Sequence, residues 1–374
     1  MIDCRIFLQI RVRVQPQRKE FNDCIDEQDG QTGATFHGIR TQVEEDRPLL
    51  LSLENVTGLS GKNLRAVLRI FRALGYLVIH YVIDTKYHGL RARRRRIWIL
   101  AVLAPAHAQD MALVQELQAR AKKWEQEMQQ ASMPFSTFTF DKDHPLRQCL
   151  DKTRRMGKPR ASEKELKWPA RHLSKWQRMG YPDGAPALPP VLRKLQEEVN
   201  MGPREIDTLH IITLSGLSAR RFSRATDPFI VVDPSQSLSR QPVAYGEVPC
   251  VTPGAWFIKL PLKESLGGVS LDEDGDAESL HGLECLLLQG FSPASSPIPM
   301  SQIVEQFSNR SLHDMAGNAF AGPAVAVAAL LTLALFAEYL PDSKEELQRL
   351  RQMRCFVLRG CVRGCVCVRV CVRK

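Results

Sequence analysis

The stretch from Pro48 to Leu103 has the most regular hydrophobic pattern in the chain. It begins with the apolar run PLLLSLEN, continues with apolar residues at helical spacing, and ends with the runs LVIHYVI and IWILAVL. A continuous apolar run that ends in polar residues is typical of a buried parallel strand. Asn63 is expected to cap the helix and Gly75 to end it. The stretch therefore predicts an α/β fold built on one β-α-β unit and a further strand.

Length and composition restrict the class of protein. The chain has 374 residues, of which 44% are hydrophobic and 25% are charged. These values are typical of a soluble globular protein and exclude collagen-like and coiled-coil classes. The net charge of +10 favours a polyanionic partner without requiring one. We expect no secretory signal, because Asp3 and Arg5 interrupt the first apolar residues. We also expect no membrane span, because Gly322 and Pro323 shorten the apolar stretch that starts at Ala319.

The cysteines predict free thiols in a reducing compartment. Half of the ten cysteines lie in the final segment CFVLRGCVRGCVCVRVCVRK, and the others are scattered singly. The final segment repeats Cys-Val-Arg units and has neither a histidine nor the paired CxxC spacing of a zinc site. We interpret it as low-complexity sequence; a thiolate metal clip and an artefact of the gene model are the alternatives. No metal site is predicted.

The middle of the chain has a different composition. An exposed, charge-rich helix is expected over 109–130, and from 141 to 180 the sequence becomes basic, with Trp168 and Trp176 among the lysines and arginines. The runs HIITL, FIVVD and AWFIKL predict short strands, which indicates a separate mixed domain that ends at the acidic run DEDGDAE. After it we expect a short helix over 280–290 and a core helix over 321–339.

The tripeptide Glu54-Asn55-Val56 is the first candidate site. It follows the first strong strand directly, and open α/β sheets bind their ligands at the carboxyl ends of strands. A carboxyl group in a half-buried crevice can share a proton with a ring nitrogen. The structural alternative is an acid at a strand end that caps the next turn.

The loop HGLRARRRRIW is the second candidate site. It carries five arginines just before a strand, and guanidinium groups are forked donors that suit a phosphate or the acceptor edge of a base. A solvated turn or a nuclear-localisation patch would have the same composition.

Two further motifs complete an ordered set. Glu284 begins the run Glu-Cys-Leu-Leu-Leu-Gln-Gly-Phe, which contains Gln289 and Gly290, and Gly317-Asn318 precedes the last apolar helix. In this order, the Glu-Asn-Val tripeptide, the arginine-rich loop, a variable basic region and these two motifs resemble the second half of the DNA cytosine-5 methyltransferases.

The resemblance implies roles for the residues that match the motifs of that family. Glu54 would hold a flipped cytosine at its N3 side, and Arg94 and Arg96 would orient the cytosine and the catalytic loop. In that chemistry a thiolate adds at C6, and the carboxyl and guanidinium groups stabilise the resulting enamine. Gly317 and Asn318 would lie by the S-adenosylmethionine site.

The resemblance also implies substrate contacts, and the matching motifs depart from the family at several positions. Asn55, Gln289 and Gly290 would contact the substrate. Other positions do not carry the residue usual in the family: Arg91 and Ala92 replace a proline and a glutamine, and Leu283 and Leu287 stand where arginines are usual.

The implied fold is a partial S-adenosylmethionine-dependent methyltransferase (Rossmann-like) sheet with an inserted, mixed target-recognition domain. The expected division is a poorly assigned segment over 1–46, a partial methyltransferase α/β domain over 47–135, a basic target-recognition-like domain over 136–279, the C-terminal motifs with a helix returning to the first domain over 280–342, and the low-complexity tail over 343–374. Duplex DNA would be the substrate, with Trp168 or Trp176 stacking on bases or, alternatively, lying in a core. The nucleus is the expected compartment and epigenetic regulation the expected role.

Two motifs of the family are not found in this sequence. The residues before Glu54 contain neither a Phe-x-Gly-x-Gly cofactor loop nor a Pro-Cys loop, and the one Pro-Cys pair is Pro249-Cys250, after the arginine-rich loop. A permuted order of motifs is one alternative. We expect an incomplete copy that does not turn over alone. The rival hypothesis is a non-catalytic nucleic-acid-binding remnant, or a partner subunit for a separate chain that supplies the missing half. A third alternative is a gene model whose true first exons encode the missing motifs.

Overall fold

The structure is a computed structural model, and it describes twelve parts of the chain. These are residues 7–11, 31–59, 61–104, 107–140, 144–146, 150, 168–199, 201–218, 229–238, 243–265, 268–291 and 298–340. The Cys-Val-Arg tail and most of the basic stretch between 141 and 167 lie outside the described residues.

The main sheet has four strands within the described residues. They are β1 (Phe7–Arg11), β2 (Leu50–Val56), β3 (Tyr76–Asp84) and β4 (Arg95–Leu103), in the order β1-β2-β4-β3. β1 is parallel to β2, whereas β4 is antiparallel to both of its neighbours. β2 and β3 therefore run in the same direction, so the predicted β-α-β unit is confirmed. The further strand, however, lies between its two strands. The connection from β3 to β4 is too short for a parallel crossover, so β4 must return antiparallel.

Helices cover both faces of this sheet, which confirms the predicted α/β class. On one face, α1 (Gln31–Asp46) and α2 (Gly61–Ala73) pack together, and the rings of Phe36 and Phe71 meet edge to face. α2 begins two residues before Asn63, so the expected cap is wrong. It ends as expected before Gly75, whose φ of +88° is easy only for glycine.

The other face of the sheet is covered by the predicted charge-rich helix and the predicted core helix. They are α3 (Met111–Glu127) and, from the end of the described chain, α10 (Gly322–Leu335). By length and composition, the stretch Asn309–Leu335 would be long enough to cross a bilayer, and 56% of its most apolar window is buried inside the protein. Ala319 to Ala321 interrupt the helix within this stretch. The expectation of a core helix therefore agrees with its packing against α3 and the sheet.

A second group of helices and strands forms its own hydrophobic core. Its helices are α4 (Trp168–Arg178), α5 (Pro190–Val199) and α6 (Pro203–Ser218). Its strands are β5 (Phe229–Val232), β6 (Val243–Tyr245), β7 (Ile258–Ser265), β8 (Gly268–Leu271) and β9 (Glu278–Ser279). The strand order is β6-β5-β7-β8, all antiparallel, and β9 pairs with β7. The expected domain boundaries stay a prediction.

The strand predictions in this group are partly wrong. FIVVD forms β5, but only the last three residues of AWFIKL belong to β7. HIITL lies inside α6, because Ile206, Leu209 and Ile212 recur at helical spacing and are all buried. Pro203 opens that helix at the position where its missing N–H costs nothing.

The tryptophans of the basic stretch differ in burial. Trp176 is 2% exposed, and its Nε1 donates a hydrogen bond to Asp207 at 2.9 Å. It is a core residue, so base stacking by Trp176 is wrong. Trp168 is half-buried, and its ring contacts that of His172.

Three further helices lead to the core helix: α7 (Gly282–Leu287), α8 (Met300–Gln306) and α9 (Asn309–Asn318). α7 is the predicted short helix, and it packs on α9. His313 of α9 faces α7, and its Nδ1 is 3.5 Å from Sγ of Cys285. Burial lowers the pKa of His313 from 6.5 to about 4. The folded protein therefore holds this ring neutral at pH values where the unfolded chain would protonate it.

We predict that His313 makes the protein less stable in mild acid. Between its unfolded pKa near 6.5 and its folded pKa near 4, the unfolded chain binds more protons, so the free energy of unfolding falls as the pH falls. Between pH 7 and pH 4, this one ring lowers the free energy of unfolding by about 3 kcal/mol. Urea unfolding measured at several pH values should show a flatter pH dependence for His313→Gln. The matched control is His107→Gln, at an exposed position, and an equal flattening there would contradict the prediction.

Candidate functional site

The candidate site lies where β2 ends and β4 begins. The antiparallel register pairs Glu54 with Trp98 and Val56 with Arg96. Glu54 and Arg96 are therefore diagonal neighbours on one face of the sheet, at a spacing that long side chains can bridge. The sequence predicted each of the two residues from a separate motif, and the antiparallel return of β4 brings them together.

Glu54 and Arg96 form a buried ion pair. The Nε atom of Arg96 is 3.1 Å from Oε1 of Glu54, and the two side chains are 11% and 3% exposed. Burial alone would lower the pKa of Arg96, but Cys250 and Glu54 outweigh burial and raise it. The guanidinium group is thus charged, and two polar partners compensate for its removal from water.

Cys250 is the second partner of Arg96. Its Sγ accepts a hydrogen bond from Nη2 of Arg96 at 3.4 Å, and the residue is half-buried. The alternative of a permuted motif order singled out this Pro-Cys pair, but no local pattern predicts its contact with a residue 154 positions away. The contact is a product of tertiary structure.

The chain around Cys250 is attached to the arginine-rich loop by backbone hydrogen bonds. The amide of Arg93 donates to the carbonyl of Val248, and the amide of Val248 donates to the carbonyl of Arg91, both at 2.9 Å. Nη1 of Arg91 also donates to the carbonyl of Gly246 at 2.8 Å. Arg91, which stands where the family has proline, therefore helps to hold the segment that carries Cys250.

Arg94 braces the site from inside the protein. It is 1% exposed, and its two Nη atoms donate to the carbonyls of Val251, at 2.8 Å, and Ala319, at 2.9 Å. Its amide donates to Oγ1 of Thr85 at 3.1 Å. These contacts make Arg94 a positioning residue. Its role in catalysis stays a prediction.

The arginine-rich loop is not a solvated turn. Arg93 and Arg95 are exposed, whereas Arg94 is buried and Arg96 nearly so. Alternate residues of an extended segment point to opposite sides, so two guanidinium groups reach the site and two reach solvent. On the solvent side, Arg93 forms an ion pair with Glu247.

Asn55 follows Glu54 in the chain and is also buried. Its Oδ1 accepts a hydrogen bond from the amide of Val56 at 2.7 Å, and its buried Nδ2 has no hydrogen-bond partner among the described residues. A buried amide donor without a partner is costly, which makes Asn55 a reasonable donor to a ligand. The predicted substrate contact of Asn55 stays a prediction.

Gln289 and Gly290 tie α7 to the start of α10. The carbonyl of Gln289 accepts a hydrogen bond from the amide of Gly322 at 2.8 Å. Gly290 has a φ of +82°, and a Cβ there would lie 2.7 Å from Cδ of Pro323, so no other residue fits without strain. The side-chain amide of Gln289 is buried, and neither its nitrogen nor its oxygen has a partner among the described residues. The substrate role expected for both residues is untested.

The motif around Glu284 also contains Leu283 and Leu287, the two leucines that stand where the family has arginines. Glu284 accepts hydrogen bonds from the amides of His281, at 2.7 Å, and Phe140, at 3.1 Å, so its carboxylate holds two backbone segments together. Leu283 and Leu287 are buried in the main hydrophobic core. Arginines at these positions would lie among apolar side chains.

Gly317 and Asn318 are the last two residues of α9. A Cβ on Gly317 would lie 2.0 Å from the backbone nitrogen of Pro253, so the glycine is explained by close packing against the 252–253 backbone. Asn318 is half-buried at the end of α9. Their contact with a cofactor stays a prediction, and no group of three or more potential metal ligands occurs within the described residues.

Comparison with known proteins connects this chain to one family. The family model described as C-5 cytosine-specific DNA methylase matches residues 25–329. A segment of 75 residues is 33% identical to the Type II methyltransferase M.MspI of Moraxella sp. The segment covers 19% of this chain and spans only 18% of the length of that relative.

Solved structures overlap with most of the chain at low similarity. The S. pombe Dnmt2 methyltransferase is 12% identical with a TM-score of 0.43, and the overlap covers 89% of this chain and 78% of that one. The Entamoeba histolytica methyltransferase EhMeth is 12% identical with a TM-score of 0.45, and the overlap covers 90% and 78%.

We predict that Arg94→Met destabilises the protein by about 3 kcal/mol, because it leaves two buried carbonyls without a donor. The control is Arg93→Met, one residue away on the solvent side, which should change the free energy of unfolding by less than about 0.5 kcal/mol. Urea unfolding of both variants measures the difference. Equal effects of the two substitutions would show that Arg94 does not brace the site.

Proposed function

Because the chain belongs to the C-5 cytosine-specific DNA methylase family, we propose that the protein is a DNA cytosine-5 methyltransferase whose Glu54–Arg96 pair receives a cytosine turned out of duplex DNA. The observation that carries this proposal is the buried ion pair itself, with its 3.1 Å separation at the carboxyl end of β2. A surface ion pair would be worth little as a binding site, but a pair shielded from water can select the polar edge of a base.

The two side chains match the edge of cytosine that a duplex normally hides. Cytosine presents acceptors at O2 and N3, next to each other on the ring. The guanidinium group of Arg96 is a fixed donor for O2, and the carboxyl group of Glu54 can share a proton with N3. The same two contacts become stronger when electrons move onto the ring during reaction, so they stabilise the transition state more than the ground state.

The other residues of the site position this pair. Arg94 holds the backbone next to Cys250 and the turn between α9 and α10. The hydrogen bonds between Arg91, Arg93 and Val248 hold the arginine-rich loop against the segment that contains Cys250. The base must leave the helical stack to reach such a site, at a cost of a few kcal/mol that backbone contacts offset.

We propose S-adenosylmethionine as the methyl donor, which would supply the methyl group when bound. Gly317 and Asn318 are the residues that we propose lie beside it. Duplex DNA is the proposed substrate, in keeping with the family and with the net charge of +10. The comparisons do not support a separate partner chain, and nuclear localisation with a role in epigenetic regulation stays a prediction.

We predict that Glu54→Gln weakens capture of an extruded cytosine by about tenfold or more, because it removes a hydrogen bond to a charged or proton-sharing group. The substrate is a pool of DNA duplexes that presents the target cytosine in every neighbour context and opposite a mismatched base. At the target position of each duplex, cytosine is replaced by its fluorescent analogue pyrrolocytosine. Fluorescence rises when the base leaves the stack, so a titration gives the affinity for the extruded state. The salt dependence of binding should not change, because Glu54 contacts a base and not a phosphate.

The matched control is Glu116→Gln, at an exposed glutamate of α3, which should bind like the unchanged protein. Equal extrusion by the unchanged protein and Glu54→Gln would contradict the proposed role of the pair. Salt-dependent binding without any extrusion would favour the non-catalytic nucleic-acid-binding alternative.

A further inference from the structure

The arginine-rich loop does not specify its own register. Residues 93–96 are four successive arginines, and alternate residues of an extended segment point to opposite sides. Arg94 and Arg96 form the buried pair, whereas Arg93 and Arg95 form the exposed pair. A displacement of the chain by one residue would exchange the two pairs without changing the chemistry of the run. Residues outside the run must therefore decide which two guanidinium groups face the site.

The strand that follows the run gives little information about register. Residues 97–102 of β4 are all apolar and all buried, and they alternate between the two hydrophobic cores on opposite faces of the sheet. A strand specifies its register strongly when one face is buried and the other is polar. Because β4 is apolar on both faces, its faces differ only in the size of their side chains.

Ala92 is the residue of the loop that distinguishes its two sides. It is 0% exposed and belongs to the main hydrophobic core. Arg94 and Arg96 follow it at alternate positions, so all three side chains point to the same side. A displacement by one residue in either direction would bring Arg91 or Arg93 to the position of Ala92. A guanidinium group there would leave water for an apolar environment, at a high cost in free energy.

Thr85 holds Ala92 at this position from the other end of the loop. The residue is 1% exposed. Its hydroxyl group donates to the carbonyl of Ala92 at 2.5 Å and accepts a hydrogen bond from the amide of Arg94 at 3.1 Å, and one hydroxyl can do both. Its carbonyl accepts hydrogen bonds from the amides of His88, at 3.0 Å, and Leu90, at 3.4 Å. Thr85 therefore fixes the number of residues between the end of β3 and Ala92.

We propose that Thr85 and Ala92 are positioning residues that select which two of the four arginines enter the site. Ala92 makes the selection, because the core admits a small apolar side chain and not a guanidinium group. Thr85 fixes the length of the loop that brings Ala92 to the core. The inference deepens the proposed function and rests on it for its consequence, because a captured cytosine meets Arg96 beside Glu54 only in this register.

The test uses phenylglyoxal, a reagent that adds to accessible guanidinium groups, on the folded full chain. Chymotryptic peptides and tandem mass spectrometry assign the rate of modification at each arginine. In the unchanged protein the exposed pair should react at least about tenfold faster than the buried pair, because buried groups react only through local opening. This footprint reports the register without DNA and without a methyl donor. Equal rates at the four positions overturn the inference.

The hydroxyl group of Thr85 has an isosteric test. Thr85→Val keeps the shape of the side chain and loses both hydrogen bonds, so the difference in rate between the two pairs should fall to about threefold or less. Thr85→Ser keeps the hydroxyl group and should restore the footprint. The matched control is Thr332→Val in α10, which removes a buried hydroxyl group that donates to the carbonyl of Ala328 at 2.6 Å. An unchanged footprint in Thr85→Val, or an equal loss in Thr332→Val, overturns the role of Thr85.

The selection by Ala92 has a test that keeps the composition of the loop. The double variant Ala92→Arg, Arg93→Ala moves the alanine by one position along the chain. If the core selects the alanine, the run follows it, so Arg95 becomes slow to react and Arg94 and Arg96 become fast. Protection that stays at Arg94 and Arg96 overturns the role of Ala92.

A milder variant decides the same question if circular dichroism shows that the double variant is unfolded. Arg93→Ala changes only an exposed position and offers the core two successive alanines. The rates at Arg95 and at the buried pair should then approach each other, whereas Arg93→Gln should keep them apart, because glutamine is polar. Equal footprints of Arg93→Ala and Arg93→Gln overturn the role of Ala92.

The effect on base capture is measured with the pyrrolocytosine duplexes. Thr85→Val should lower extrusion by about tenfold or more, because a displaced guanidinium group no longer meets the base, and Thr85→Ser should restore it. The salt dependence of duplex binding should stay the same, because no charge is removed. Unchanged extrusion in Thr85→Val despite a lost footprint overturns the link between register and capture. The expected footprints without extrusion by the unchanged protein overturn the proposed function and leave the positioning role intact.

Discussion

The buried guanidinium group of Arg94 is the interaction on which the site depends. It joins three segments that are far apart in sequence: the start of β4, the loop that contains Cys250, and the turn between α9 and α10. A charge with so little exposure must have polar partners within reach, and the backbone carbonyls of Val251 and Ala319 are among them. The segments that carry the possible chemistry are thereby held relative to the sheet by one side chain.

The position of β4 in the sheet has an equally direct effect on the second arginine. Because β4 returns antiparallel next to β2, the beginning of β4 lies beside the end of β2. Arg96 thus reaches Glu54 from the neighbouring strand. Extended backbone also places Arg94 and Arg96 on one side and Arg93 and Arg95 on the other, so a sequence of successive arginines separates into a buried pair and an exposed pair. The arginines of the loop therefore lie in two different environments, one buried and one exposed to solvent.

Several residues of the motifs have structural explanations that do not need a ligand. Gly290 and Gly317 allow backbone to approach closely, Glu284 joins two backbone segments, and Leu283 and Leu287 fill the core. In contrast, the side-chain amides of Asn55 and Gln289 are buried with nitrogen atoms that no described residue satisfies. The end of β2, together with the two segments that Arg94 holds beside it, is therefore the part of the site best suited to bind a ligand.

The sequence by itself determined the α/β class, the succession of strand, helix and strand along the chain from Pro48, and the core helix. These features depend on local hydrophobic periodicity. It also predicted Glu54 and Arg96 as site residues through their motifs, and the family that these motifs resemble is confirmed by the match over residues 25–329. It failed for HIITL, where β-branched residues suggested a strand although the buried positions recur at helical spacing in α6. Asn63 likewise has the chemistry of a cap, yet the helix starts before it.

Only the tertiary structure decided which of the motif residues meet. The insertion of β4 between β2 and β3, the two carbonyls that Arg94 binds, and the approach of Cys250 to Arg96 all join residues distant in sequence. The distances between these residues follow from the order of the strands and from the pairing of buried polar groups. Neither of these produces a periodic pattern in the sequence. A cysteine that looked misplaced in the order of motifs therefore lies beside the ion pair, because packing depends on position in space and not on order along the sequence.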